Sequence, residues 1–454
     1  MKRRGFVPNV RTYATMMSGY ATIEDWEMYS KQLASVHSVY DQLRRHIIET
    51  PRVVVNDPAG ESGASFILFP IALYISILGK TSNYQKAFDV FHELDTNGSL
   101  APHSKVYSSL LCVLADRVDS MDTHPTAIAQ SVSEAKYVWR RHMRSVDKNP
   151  HHTIEPRSVE AMIKVLSRGE PTDHELMFDI LHDICGLPRP HEEQGSSPSP
   201  PPSPAPAPAP APAPPPPKVA PTSWILGEAL DGCITAGHPD KALHYAQSVM
   251  SAPKLRPILH GWHLSRLLVA HLLIVKDGGS TSPERAENAA EWVERITAQA
   301  RDKRTAPNMF SLGLALELCH LCEDIHSALR MTRAVLEGPL RGSMPVKAWA
   351  YLLRLAIVAP PEEKRQCLEL LNTHRSVLDV WELSSSSAAK GSIPIPPRKT
   401  RVSLALSVVQ LLRAVPPSPD HNSAERPDTT DLEQQHKVWS DLRRRAESFL
   451  EKHK

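Results

Sequence analysis

A chain of 454 residues, 41% hydrophobic and 22% charged, is long enough to bury a sizeable core and too long for one compact domain. Lys and Arg number 52 against 50 Asp and Glu, a net charge of +2, so any binding to nucleic acid or an anionic membrane rests on local clusters and not on a global field. Six cysteines lie scattered, without the dense spacing of a disulfide framework, which fits a reducing compartment; no apolar run reaches the ~20 residues of a membrane helix, the best one, Trp262 to Val275, being broken by Arg266 and two histidines.

The predicted elements are helices in pairs. Ala87, Val90, Phe91 and Leu94 fall at i, i+3, i+4 and i+7, one apolar stripe down a helix, and the pattern recurs at Ala135/Val138/Trp139, Ala242/Tyr245/Ala246/Val249, Ala289/Trp292/Val293/Ile296 and Ala328/Met331/Val335. Each stripe opens on alanine, small enough for an antiparallel helix to come close. A suitable apolar segment precedes each in turn: Ile71 to Leu78, Tyr107 to Leu114, Trp224 to Ile234, Leu264 to Ile274 and Leu312 to Leu321. The turns Gly79 to Asn83 and Gly237 to Asp240 join a helix-ending glycine to residues that cap the next helix. A proline precedes each first helix, at Pro8, Pro102, Pro156, Pro221, Pro257, Pro307 and Pro345; 36 residues separate Pro221 from Pro257 and 38 separate Pro307 from Pro345, within the range of helical repeats. Insertions at Asp119 to Gln130 and Lys276 to Pro283 account for longer gaps. These features predict an all-α superhelical solenoid of about eight antiparallel helix pairs over residues 1 to 378.

The tract from Ser197 to Lys218, almost all Pro and Ala, favours extended polyproline II and interrupts the array as a linker or a long surface insertion. The expected organisation is helical repeats over 1–187, a Pro/Ala-rich linker over 188–221, helical repeats over 222–378, a helix with disordered segments over 379–429, and an amphipathic helix over 430–454 opened by a Thr430/Glu433 capping box.

Lys2-Arg-Arg-Gly-Phe-Val-Pro-Asn-Val-Arg-Thr-Tyr13 resembles the junction between two pentatricopeptide repeats, where a basic-Gly-x-x-Pro-Asn/Asp turn leads into a Thr-Tyr helix opening. Phe69 to His103 is similar to a nearly whole repeat and Trp224 to Ile258 to a weaker one; elsewhere the likeness is of rhythm. The resemblance is to degenerate members of the fungal organellar type. Because Met1 falls where a second helix should be ending, truncation at the N-terminus is expected. The family's fold is the solenoid already read from periodicity. The resemblance also implies mitochondrial location, single-stranded RNA, mRNA or rRNA, as ligand, and no enzymatic activity or cofactor.

It further implies base contacts from Ala14, Ala72, Ser108, Met162, Gly227, His263 and Gly313 near the starts of first helices, and from Asn9, His103, Arg157, Ile258 and Asn308 after the prolines. Of these, Asn9, His103, Ser108, Arg157, His263 and Asn308 carry side chains able to read a base edge; the alternative is that all are ordinary helix-start and turn residues. Phosphate contacts are expected from Arg140, Arg141 and Arg144, with further clusters at Arg44-Arg45-His46, Arg301 to Arg304, Arg398 to Arg401 and Arg443 to Arg445. Trp139 is expected in the core. Gly79-Lys80-Thr81 lacks the earlier glycine of a phosphate-binding loop, and Cys319-His320-Leu-Cys322 with His326 falls short of a zinc set, so no metal is expected. The function expected is an organellar RNA-binding adaptor in RNA processing, stability or translation. The alternative is a protein-binding scaffold, its partner held by the concave face or the C-terminal helix, or a structural subunit associated with the mitochondrial ribosome.

Overall fold

A computed structural model describes residues 8–49, 63–94, 101–120, 124–149, 152–190, 217–278, 282–299, 309–337, 344, 346–374, 398–414 and 429–452. Among them the chain forms eighteen α-helices and no strand, in two compact units, Met1–Ile258 and Leu259–Lys454. The first unit holds α1 (Val10–Ala21), α2 (Ser30–Glu49), α3 (Gly63–Lys80), α4 (Tyr84–His92), α5 (Ser104–Ser120), α6 (Pro125–Lys148), α7 (Pro156–Leu166), α8 (Pro171–Asp183), α9 (Ser223–Thr235) and α10 (Pro239–Ser251). The second holds α11 (Gly261–Lys276), α12 (Pro283–Gln299), α13 (Met309–Leu321), α14 (Ile325–Leu336), α15 (Val346–Val358), α16 (Pro361–Thr373), α17 (Arg398–Ala414) and α18 (Thr429–Lys452). Eight consecutive pairs therefore run from Val10 to Thr373, as the periodicity predicts, and α17 with α18 makes a ninth.

In the first unit α1, α3, α5, α7 and α9 pack side by side as one layer, and each second helix folds back onto its own first helix. The alanines that open the second-helix stripes explain this approach: Ala87, Ala135 and Ala242 are wholly buried. Phe91, Val138 and Tyr245 follow them into the core at zero exposure, and each large apolar side chain buried this way contributes about 1.5–3 kcal/mol. Trp139 is buried, as expected.

The turn after α3 works differently from its sequence reading. Ser82, not Gly79, takes the left-handed conformation, at φ 57°. Gly79 is instead a contact glycine inside α3, where a Cβ would collide with Val113 Cγ2 of α5. Gly237, by contrast, is the left-handed cap predicted for it, at φ 77°, with His238 N–H donating to Cys233 O at 2.8 Å. The expected insertion at Asp119 to Gln130 is largely helix: α5 runs to Ser120 and α6 starts at Pro125.

The Pro/Ala tract lies outside the described residues except at 217 and 218, but the chain on its two sides is joined. Val219 N–H donates to Ile184 O at 3.0 Å, and α9 packs on α7 so closely that a Cβ on Gly232 would sit 3.2 Å from Ile163 Cγ2. The compact division falls at Ile258 instead of at that tract. In the second unit α11, α13, α15 and α17 form a layer, α12, α14 and α16 pack on one another as well as on their partners, and α18 packs on α17 through Leu442, Ala446 and Phe449. The side chains of Thr430 and Glu433, the expected capping box, lie outside the described ones.

Candidate nucleic-acid interface

A cleft of about 130 Å³ opens where α3, α5 and the start of α7 meet. Two helices supply matching rows at i, i+3, i+4 and i+7: Phe69, Ala72, Leu73 and Ser76 from α3, and Lys105, Ser108, Ser109 and Cys112 from α5, each 36 residues further on. Glu155, which precedes α7, and Arg157 in its first turn close the end. The cleft thus combines two cations, one carboxylate, three hydroxyls and an aromatic ring, and Lys105 Nζ stands 4.9 Å from the Phe69 ring centroid. Burial pushes the Cys112 thiol up to about 11, with Arg157 opposing, so the thiol is protonated and not a nucleophile near neutral pH.

The leading residue of this row recurs on the first helices of each unit, taken separately. The corresponding positions are Arg11, Phe69, Lys105, Arg157 and Trp224 in the first unit and Trp262, Phe310 and Lys347 in the second, every one a cation or an aromatic. All are exposed or half-exposed; Trp224 and Phe310 each keep 65% of their surface in solvent. In seven of the eight first helices between Val10 and Val358 this is the second helical residue, α3 alone starting earlier. A second helical residue lies beside unpaired backbone N–H groups and the positive end of the helix dipole, both of which favour an anion. Further down the same faces the charges are mixed: Glu160 and Lys164 on α7, Glu228 and Asp231 on α9, Arg266 on α11, Glu317 on α13 and Arg354 on α15. Burial holds Glu160 and Asp116 above the usual carboxylate range, and Asp119 is paired with Lys164 at 2.5 Å.

The residues singled out from the sequence divide into three groups. Ser108 and Arg157 line the cleft. Asn9 and His103 are bound up in helix starts: Asn9 Oδ1 accepts from Thr12 N–H at 3.0 Å, and His103 Nδ1 accepts from Lys105 N–H at 3.2 Å. Asn308 lies outside the described residues. His263 corrects its sequence assignment, being wholly buried, stacked on Trp262 at 3.8 Å and bonded through Nδ1 to His260 N–H at 2.9 Å. Met162 is likewise in the core. Each stands off the outward row, on which the corresponding positions are Ser265 and Glu160. Arg140, Arg141 and Arg144 sit on α6, in the other layer. Arg141 is half-buried with its guanidinium 4.7 Å over the Phe91 ring, a packing role.

The remaining basic clusters are largely neutralised or tied to backbone. Arg44 pairs with Glu93 at 3.5 Å, Arg443 and Arg413 with Glu447 at 3.0 and 3.3 Å, and Arg444 with Asp441 at 2.5 Å. Arg301 to Arg304 lie outside the described residues. Among the described residues no three His, Cys, Asp or Glu side chains gather as a metal site, and no helix there is long and apolar enough to cross a membrane.

Sequence reasoning missed Phe69, Lys105, Trp224, Trp262, Phe310 and Lys347. A signal was available: the third residue after Pro8, Pro102, Pro221 and Pro307 is Arg11, Lys105, Trp224 and Phe310.

Fold and face together define an all-α helical-repeat protein built from antiparallel helix pairs. No family model and no curated protein matches the chain. Among solved structures it is similar to the pentatricopeptide repeat protein PPR10 in complex with an 18-nt psaJ RNA element, and to a three-cysteine-to-serine variant of PPR10 with the same RNA. Each is 14% identical, with a TM-score of 0.30, over 99% of this chain and 57% of the other, so the chain spans little more than half the length of those proteins.

Proposed function

We propose that this protein is an RNA-binding adaptor whose units each hold single-stranded RNA along the leading residues of their own first helices. The observation that carries the reading is that row: a cation or an aromatic at every one of the eight positions, set at helix N-termini. Cations there neutralise phosphates, and rings stack on bases of any sequence, the combination that single-strand binders use. The positions one turn further on are Ala14, Ala72, Ser108, Glu160, Gly227, Ser265, Gly313 and Ala350, mostly without a side chain that could read a base edge, so the grip is electrostatic and weakly specific. The resemblance of Lys2 to Tyr13 to a pentatricopeptide junction is the ground for placing this activity in the mitochondrion, in RNA processing, stability or translation.

The test is a salt titration with two or three unrelated RNA oligomers. Lys105→Ala combined with Arg157→Ala should weaken all of them about equally and flatten the dependence of log affinity on log salt by about 1.4, at ~0.7 per lost phosphate contact. One oligomer bound a hundredfold more tightly, with the preference abolished by Ser108→Ala, would restore base-by-base reading. No binding at low salt would hand the face to a protein partner.

A further inference from the structure

On α6 a straight row of side chains faces away from the core: Ser133, Tyr137, Arg140, Arg144 and Lys148, spaced three or four residues apart and all exposed. The opposite side of the same helix is buried, through Ser131, Ala135, Val138 and His142. From Tyr137 to Lys148, eleven steps along the helix, the row is about 16 Å long at 1.5 Å per residue. Arg140 donates only to the Lys136 carbonyl of its own helix, through Nε at 3.1 Å, and neither Arg140, Arg144 nor Lys148 has an ion pair among the described residues. The acidic side chains near by are Glu134, already paired with Arg117 at 3.0 Å, and Asp147 at the margin of the row. On the flanking helices, Asp173 of α8 is held by Lys136 at 2.6 Å and Glu93, just past α4, by Arg44 at 3.5 Å. The cations of the row are therefore uncompensated where those of most other basic clusters are paired.

We infer that this outer row on α6 is a second nucleic-acid contact surface, which takes the phosphate backbone of base-paired RNA. The row belongs to the second-helix layer, apart from the first-helix face proposed for single strands, and neither the cleft between α3 and α5 nor the recess beside α2 includes a residue of α6. The row carries three cations to one ring, so it offers more to phosphates than to bases. It can lie along a ligand whose phosphates face outward and whose bases are already hidden, and duplex RNA is recognised largely in that way. Three point charges on successive turns suit such a backbone, and Tyr137 adds a hydroxyl for a phosphate or a 2′-hydroxyl.

The experiment compares the full chain with its Arg140→Ala/Arg144→Ala/Lys148→Ala variant, using an RNA duplex of about 16 base pairs and an unstructured oligouridylate over a salt series. All three changes are on the exposed side of α6, and helicity by circular dichroism checks the fold. The variant should bind duplex at least tenfold more weakly at low salt, with the slope of log affinity against log salt shallower by about 2 to 3, at ~0.9 per phosphate contact. Its affinity for oligouridylate should stay within twofold. The corresponding Lys variants at 140 and 144 should keep duplex binding. An unchanged duplex affinity and slope, no duplex binding by the wild type, or equal displacement of duplex by polyglutamate would each overturn the inference. If the wild type bound duplex and not oligouridylate, this surface would stand and the single-strand reading would fall.

Discussion

The two units share a building block but tie their second helices together differently. In the first unit these helices meet chiefly through long side chains: Lys136 to Asp173 at 2.6 Å between α6 and α8, Lys241 to Glu175 at 3.7 Å between α10 and α8, and His92 to Tyr137 at 6.2 Å between ring centroids. In the second unit α12, α14 and α16 pack directly on one another, with ion pairs such as Arg330 to Glu294 at 2.6 Å added alongside. The first unit therefore concentrates its apolar contact in one layer, the one that carries the cleft, and leaves its second layer polar and accessible. A polar outer layer tolerates an unpaired basic row; a directly packed one has less room for it. Each prediction below bears on that contrast.

The largest effect is shared, and tests whether the two apolar interiors are equally dry. Burial holds His142 of α6 and His271 of α11 each down to about 4 from an ordinary value of 6.5. His142 lies stacked on Tyr107 at 4.7 Å and edge-on to Trp139, with His152 near. The folded chain thus takes up these protons less readily than the unfolded chain. Stability is complete above about pH 6.5, falls as pH drops through the interval toward 4, and is flat with respect to these groups below it. Each shift corresponds to on the order of 3 kcal/mol. Urea unfolding at pH 7.5 and pH 4.5 should show the loss, and His142→Phe should remove part of it. A pH-independent midpoint would mean that water or a carboxylate reaches these rings.

Next come two substitutions that separate the layers of the first unit. Gly79→Ala drives a Cβ into Val113 across the α3–α5 contact, and should cost about 1–3 kcal/mol as overpacking. Lys136→Ala leaves the buried Asp173 carboxylate with its capping bond from Glu170 N–H at 2.9 Å but without its cation, and should cost about 1–2 kcal/mol. Chemical denaturation of each variant gives the order. If Lys136→Ala proved the more damaging, the second layer would be the structural spine and the comparison would invert.

The repeat architecture was legible because burial and helical period coincide: Ala242, Tyr245, Ala246 and Val249 are all wholly buried, as their spacing predicts. A further cue went unread, for proline opens second helices at Pro125, Pro171, Pro239, Pro283 and Pro361, where its missing N–H costs nothing. The face was harder to read. Successive residues of a helix turn by ~100°, so an offset of one or two positions exchanges solvent for core: His263 and Met162 are wholly buried, while Ser265 and Glu160, two residues away from each, stand on the outward row. Nor does sequence tell a solvated arginine from a packed one. Arg141 and Arg144 are three residues apart on one helix, yet one is spread over Phe91 and the other stands free of ion pairs among the described residues.

The smallest predicted effect has the opposite sign. Gly19 lies in the last turns of α1, the first helix of the layer, and a Cβ built there meets nothing within 4 Å. Its neighbour one turn back, Met16, is 41% exposed, so this side of α1 packs on nothing among the described residues. Gly19→Ala should therefore stabilise the chain by about 0.5 kcal/mol, less than the ~1 kcal/mol of a mid-helix site because the helix ends two residues later at Ala21. Gly79→Ala, the same change within the same layer, should destabilise, so the pair reports how tightly each helix is flanked. The readout is the urea midpoint of the two variants measured side by side. A loss above about 1 kcal/mol for Gly19→Ala could not come from helix propensity; it would mean that a further element covers the outer side of α1, and that the packed layer continues past it.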